Sequence, residues 1–551
     1  MKHDKNFVCV CLFLCLLLLT FHPSFSAENK EPLTVAEASG FTATSQHADV
    51  MKFIKDLQRK SSLLRVETLC VSPEGRTVPL LIIGQPVPSS PLAVLQERKA
   101  VVYIQANIHA GEVEGKEASL MLVRDIVLQE NPPYLENLVI LIAPIFNADG
   151  NEKISPDNRR NQAGPEKGVG VRYNGQNLDL NRDGMKMESP EIQGLVRNVL
   201  NRWDPVLLAD LHTTNGSYHQ EPVTYVWSLN PNGDLSLIEY MREKMMPAMS
   251  KNLKQKYDVL SVPYGNFMDF RDPEKGWRPS GPEPRFITNY IGLRNRLAIL
   301  NENYSYADYK TRVMGCYYFL HSILEYCSDH KDEIRELISK ADQRTIQRGL
   351  HPSENDTFAV EYDLKPLDKN ITILGYEMKV EEREGGRPRI TRTDNVKAYT
   401  VPYFVDFVPK RSVSFPYGYL IPTEDPEVEE KLLQHGILVE RLTEPAKLEV
   451  ESFRITEIKG EERLFQGHRM NTTKGEYSRE EKEFPEGTLF ISTAQPLGNL
   501  AAYLLEPESD DGLLVWNFFD RYIVPQWGRA PQSYPVYKLL KPANLVKESI
   551  K

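Results

Sequence analysis

Short apolar runs alternate with amphipathic stretches over the first three-fifths of the chain. Residues 100–104, 138–146, 206–211 and 297–300 are almost wholly apolar, the pattern of strands buried on both faces. Residues 112–129, between the first two runs, repeat apolar positions at helical spacing. Residues 50–57 do the same ahead of a strand pair around 64–83. Strands alternating with helices predict an α/β fold with a mixed, mostly parallel sheet flanked by helices.

The pattern then changes. A charged helix is expected over 331–348, stopped by Gly349 and Pro352. Residues 358–362, 370–380, 418–421 and 448–455 read as strands, several alternating in polarity. One helix is marked by Asp425 as its cap, Pro426 in its first turn and Gly436 at its end. A further strand is expected over 488–492 and a helix over 497–505. The expected organisation is an α/β domain over 27–330, a helical linker over 331–354 and a β-rich accessory domain over 355–551.

Lys2 and Lys5 precede an apolar run from Phe7 to Phe21, and the small residues Ser24 and Ser26 follow. This reads as a cleavable signal peptide over 1–26 and predicts a secreted or periplasmic protein. No later stretch is long and apolar enough to cross a bilayer. The formal net charge of -10 argues against nucleic acid as the main partner, because phosphate binding needs a basic stripe. Cys9, Cys11 and Cys15 would leave with the signal. Cys70, Cys316 and Cys327 are too few for a disulfide scaffold and lack the spacing of a thiolate metal site. They read as buried apolar side chains.

The candidate chemistry follows the strands. His109-Ala-Gly-Glu112 is an H-x-x-E after the run ending at Ile108, and His212 follows the run 206–211. Glu302 follows the run 297–300. Open α/β sheets gather ligands at the carboxyl ends of their strands, so these four groups should converge. Two imidazoles and a carboxylate suit one catalytic zinc with a position left open for water. His219 reads as structural, and His351, His435 and His468 as isolated background. The run Glu506-Pro-Glu-Ser-Asp-Asp511 reads as an acidic, solvated loop rather than a calcium site.

The order of motifs adds a resemblance. Asn107-Ile-His-Ala-Gly-Glu-Val-Glu-Gly115, Asn147-Ala-Asp-Gly150, Asp179-Leu-Asn-Arg-Asp183, Asp210-Leu-His212 and Asn301-Glu302 together resemble the zinc carboxypeptidase family, the funnelin-like metallopeptidases, over about residues 40–327. The resemblance implies a metallopeptidase acting on peptides, with one zinc on His109, Glu112 and His212 and with Glu302 as general base. It also implies an arginine for the tetrahedral oxyanion. Arg159 and Arg160 lie where it should be, with Arg159 favoured. Asn181 and Arg182 match the residues that grip a substrate's terminal carboxylate. Tyr290 matches a tyrosine that closes over substrate. Asp179 is expected to accept from the nitrogen of His109 that faces away from the metal. The arginine usual just before the metal glutamate is missing, since Gly111 stands there. A zinc amidase and an inactive binding protein are the competing functions.

Overall fold

The computed structural model describes residues 31–132, 134–381, 389–523 and 533–550. The signal-peptide reading lies outside them. Strands β1 (Leu64–Val71) and β2 (Thr77–Ile83) pair antiparallel. They start an eight-stranded sheet completed by β3 (Ala100–Ala106), β4 (Leu138–Ala143), β5 (Leu207–Thr214), β6 (Val223–Trp227), β7 (Ser261–Pro263) and β8 (Leu297–Tyr304). The spatial order is β1-β2-β4-β3-β5-β8-β6-β7. The four central strands β4, β3, β5 and β8 are parallel. β2 joins β4, and β6 joins β8, antiparallel. The expected mixed α/β fold is therefore present.

Every residue of β3 and β4 is buried, which is why neither shows an alternating pattern. The helix α1 (His47–Lys60), α2 (Glu114–Val127), α3 (Ile287–Leu293) and α4 (Tyr309–Asp329) accompany the sheet, with α2 packed against both α1 and α4. β3 has β4 on one side and β5 on the other. The connections leaving it diverge there, and this opens a crevice at the carboxyl ends of the strands.

Two strands run further than their apolar pattern. His212 and Glu302 lie inside β5 and β8, not after them. The polar residues at the ends of these strands are tolerated because their amides are satisfied. Asn301 Nδ2 donates to the Thr224 carbonyl at 3.2 Å, and Asn303 Nδ2 to the Arg312 carbonyl at 3.2 Å.

Beyond the sheet come helix α5 (Lys331–Leu350) and the strands β9 (Thr357–Pro366), β10 (Ile371–Glu381), β11 (Arg389–Val401) and β12 (Phe404–Ser414). β9 pairs with β12 and β10 with β11. The C-terminal part adds β13 (Gly418–Ile421), α6 (Pro426–Gln434), β14 (Glu440–Leu442), β15 (Ala446–Gly460), β16 (Asn471–Phe484), β17 (Leu489–Ser492), α7 (Gly498–Leu505), β18 (Tyr537–Leu539) and β19 (Lys547–Ser549). Seven of these strands form a second sheet in the order β16-β15-β18-β13-β17-β14-β19. Residues 33–551 make one compact unit, and apolar residues of α7 join the same continuous core as the central sheet.

Three polar features differ from expectation. The acidic run 506–511 is packed inside, not solvated. Glu506 and Asp511 are buried, and Asp511 receives the backbone N–H of Arg285 at 2.5 Å. Burial pushes the Asp510 carboxyl up to about 7. His435 is buried against Tyr290, and His468 pairs with Glu188 at 2.8 Å. The readings of His219 and the cysteines hold. His219 is buried and packs against Tyr304, with ring centroids 4.2 Å apart and the planes tilted by 32°. Cys70, Cys316 and Cys327 are buried and unpaired. Among the described residues, no helix is long and apolar enough to cross a membrane.

Candidate active site

The chain leaves β3 through Asn107, whose φ of 65° turns the backbone sharply. Asn107 Nδ2 donates to the carbonyls of Ala110 and Glu112, both at 3.3 Å, and so holds the turn closed. This places His109 and Glu112 side by side just ahead of α2. β5 delivers His212 from the neighbouring strand.

His109 Nδ1 lies 3.2 Å from Glu112 Oε1, and His212 Nδ1 lies 2.9 Å from Glu112 Oε2. The two Nδ1 atoms are 3.1 Å apart. One ligand atom from each of the three buried residues lies within 4.8 Å of the others, a spacing that could hold a metal ion. The far side of each ring fits the same use. His109 Nε2 lies 3.0 Å from Asp179 Oδ1, as expected, and His212 Nε2 lies 2.9 Å from Asp210 Oδ2. A carboxylate on Nε2 keeps the proton there and turns the Nδ1 lone pair into the gap. The sequence reading missed Asp210. The signal was available, since residues two apart on a strand share a face.

Charge reinforces the geometry. Burial pushes the Glu112 carboxyl up, but His109 and Arg159 outweigh it and hold the group well below the usual range. In Asp179 burial is likewise overcome, chiefly by His109 and Arg172. Glu302 behaves in the opposite way. β5 and β8 pair in register with Glu302 opposite His212, so its carboxyl stands beside the metal-ligand group. Burial raises it to about 8, with the Glu112 charge adding to the rise and His212 opposing it.

His109, Glu112 and Glu302 line one cleft of about 190 Å³. Arg159, Arg172, Asn181 and Arg182 reach it from one side, and Trp227, Leu229, Tyr264, Phe286 and Leu300 form much of the rest. Of the two arginines left open by the sequence, Arg159 is the one in the cleft. Arg160 is exposed and pairs with Asp157. Each guanidinium nitrogen of Arg159 donates one hydrogen bond. Nε donates to Gln162 Oε1 at 2.8 Å, Nη1 to Glu112 Oε1 at 2.8 Å and Nη2 to the Thr213 carbonyl at 2.7 Å. Its stem also explains Gly111, because a Cβ there would come within 2.6 Å of Arg159 Cδ. Arg159 fills the room that a longer residue before Glu112 would need.

Arg172 was missed because it stands alone between two motifs. Its Nε donates to Asp179 Oδ2 at 2.7 Å, and its Nη1 lies 3.8 Å from Glu112 Oε1. Asn181 Oδ1 accepts the first N–H of α3, from Ile287, at 2.9 Å. Arg182 lies over the Phe286 ring at 4.3 Å and is half-buried. Tyr290 does not join them. It is fully buried in α3, 2.8 Å from His435 Nδ1, and it accepts from Arg294 at 3.2 Å. A side chain locked between α3 and α6 cannot close over the cleft, so the substrate-binding assignment of Tyr290 is corrected. Tyr264 is the tyrosine that lines the cleft.

A family model described as zinc carboxypeptidase matches residues 50–266. The chain carries a zinc carboxypeptidase domain. Its likeness to "Carboxypeptidase 2" of Trichophyton rubrum is 22% identity over 540 residues, covering 94% of this chain and 90% of that protein. The same protein of Trichophyton equinum is also 22% identical, over 538 residues. These alignments extend past the carboxypeptidase domain into the C-terminal sheet. A solved metallo-carboxypeptidase from Pseudomonas aeruginosa, in complex with (2-guanidinoethylmercapto)succinic acid, is 16% identical. It aligns over 53% of this chain and 70% of its own, with a TM-score of 0.39. The carboxypeptidase domain makes the chain a metallopeptidase, a hydrolase. Glu302 lies beyond the matched segment, so the strand register, rather than the family match, sets it beside His212.

Proposed function

We propose that the chain removes residues from peptide C-termini, with zinc on His109, Glu112 and His212. The observation that carries this is the set of two Nδ1 atoms and one carboxylate, each imidazole backed by an aspartate, with Glu302 in register beside them. Zinc supplies Lewis acidity toward a scissile carbonyl and a more acidic water.

The chain's own residues do the rest. Glu302, as the ionised carboxylate, takes a proton from water and delivers it to the leaving amine. Neither Nη atom of Arg172 makes a hydrogen bond among the described residues, whereas both Nη atoms of Arg159 donate to the protein. Arg172 is therefore the better placed cation for charge developing on the carbonyl oxygen, and Arg159 holds Glu112. Asn181 and Arg182 grip the terminal carboxylate of the peptide. An amidase acting on a substrate without that carboxylate has no use for Arg182. Export with cleavage near Ser26 belongs to the same proposal. It rests on residues 1–26 alone, and N-terminal sequencing of the mature protein tests it.

Two measurements test the core. Native protein should bind about one zinc per chain, and His212→Ala should lose most of it. Full metal retention by His212→Ala would sink the assignment. Arg172→Ala should lower kcat about 10²-fold, the low end for one lost oxyanion donor, while leaving KM within a few-fold. Arg159→Ala should weaken zinc binding more than it lowers kcat at saturating zinc. The reverse pattern would return the oxyanion role to Arg159.

A further inference from the structure

The loop joining β15 to β16 reaches from the C-terminal sheet to the back of the metal-ligand group. Its tip is a two-residue turn. Phe465 and His468 exchange backbone hydrogen bonds of 2.8 and 2.9 Å, and Gln466 and Gly467 between them have φ values of 51° and 85°. A pair of left-handed residues is what a tight hairpin turn of this kind requires. Glycine adopts that conformation freely. Gln466 does so at a cost, and such strain persists where the surroundings hold it in place.

The surroundings here are extensive. Phe465 stacks on Trp516 with centroids 6.2 Å apart, and Arg285 lies over both rings. His468 bridges Glu188 at 2.8 Å and Asn517 at 3.1 Å, and Asn517 Nδ2 donates to the Arg469 carbonyl at 3.0 Å. The hairpin is thus tied to the segment following Asp183 and to the loop after α7.

What the strained residue does is specific. The backbone N–H of Asp179 donates to Gln466 Oε1 at 2.8 Å, across 287 residues of sequence. The Asp179 side chain is held at the same time by Arg172 Nε at 2.7 Å and by the Asn181 N–H at 3.0 Å, and it receives His109 Nε2 at 3.0 Å. Asp179 is anchored on its side chain from within the carboxypeptidase domain, and on its backbone by Gln466.

We infer that the β15–β16 hairpin is a working part of the active site and that Gln466 is a positioning residue, acting through Asp179 on the orientation of His109. The inference rests on the proposed zinc site. Its physical basis is that partners one bond removed from a metal ligand fix the ring's direction, and removing them typically costs 10–100-fold in metal affinity or activity. Gln466 acts one step further out, so an effect of about 10-fold is expected.

The experiment compares native protein with Gln466→Ala, Gln466→Glu and Glu462→Ala. Gln466→Glu keeps an oxygen acceptor at the same reach, and Glu462 is exposed in the same hairpin. Zinc affinity is read by competition with a chelator of known affinity, and kcat and KM are measured on a free-acid peptide. Gln466→Ala should bind zinc about 10-fold more weakly and lose about 10-fold in kcat, with KM within twofold. Gln466→Glu should recover most of both, and Glu462→Ala should match native protein. A Gln466→Ala variant with native zinc affinity and kcat, even with a lower Tm, would overturn the inference, since the hairpin would then be only a packing element. Equal losses in the alanine and glutamate variants would overturn it too, because the acceptor would not be what matters. Failure of native protein to take up zinc would instead remove the proposed function on which this role stands.

Discussion

Glu302→Gln should fold, bind zinc and lose nearly all turnover. The substitution preserves shape and removes the base. Glu302 sits opposite His212 in the paired strands and lines the cleft, so no rearrangement is needed for it to meet water at the metal-ligand group. General-base catalysis contributes about 10²–10⁴-fold. Groups that act together lose more than their separate shares when one is removed. A fall in kcat of about 10³-fold or more is expected, with zinc content unchanged. Full activity in this variant would mean that another carboxylate is the base.

The same substitution has a stability signature in zinc-free protein. Burial raises the folded-state pKa of Glu302 to about 8, against an ordinary value near 4.3 in the unfolded chain. Below the unfolded value both states hold the proton, and Glu302 behaves like glutamine. As pH rises through the window from about 4 to 8, the unfolded chain releases the proton and the folded chain keeps it. Native protein should therefore lose stability relative to Glu302→Gln across that window. The gap at pH 8 should be about 2 kcal/mol, after discounting for the side chain's partial exposure. Urea denaturation of both proteins at pH 4.5 and pH 8 measures it. A constant gap would show that Glu302 is not raised in the folded state.

The sequence was most legible where one physical signal dominated. β3, β4, β5 and β8 announced themselves by continuous apolar runs, because both faces of a central strand are covered. β16 did not. Its sequence, Asn-Thr-Thr-Lys-Gly-Glu-Tyr-Ser-Arg-Glu-Glu-Lys-Glu-Phe, is charged at half of its positions, yet it pairs with β15 over fourteen positions. A long ribbon pair open to solvent satisfies its backbone without apolar side chains, so periodicity had little to report. The site shows the same division. His109 and Glu112 follow β3, and His212 and Glu302 lie toward the carboxyl ends of β5 and β8, where the topology of an α/β sheet makes position informative. Asp210 was recoverable from strand alternation. Arg172 and Gln466 were not, because each is a single residue whose meaning comes only from a partner distant in the chain. Tyr290 erred for the converse reason. The resemblance suggested a mobile residue, although Tyr290 stands closer to Glu302 than such a tyrosine should, and His435 and Arg294 hold it in the core.

Amidating the C-terminus of a peptide should sharply reduce its cleavage by native protein, and Arg182→Ala should erase most of that difference. Arg182 lines the cleft, and burial disfavours its charge, with neighbouring Arg172 adding to the effect and Asp179 only partly opposing it. A guanidinium in that setting gains most from a planar carboxylate, which takes two charge-assisted hydrogen bonds. An amide offers one neutral acceptor and leaves the cation poorly paired, a costly state in a half-buried site. Losing one partner of such a pair costs about 2–5 kcal/mol, or roughly 10³-fold at the middle of the range. Arg182→Ala should thus lower kcat/KM for the free acid by about that factor while changing the amide little. Arg182→Lys should recover only part of the loss, because an ammonium cannot grip both oxygens. Kinetics on a matched acid and amide pair, with native protein and both variants, measure all three. Equal rates for the pair on native protein would mean that Arg182 does not read a terminal carboxylate, and cleavage within chains or of other amides would then be the better account of this cleft.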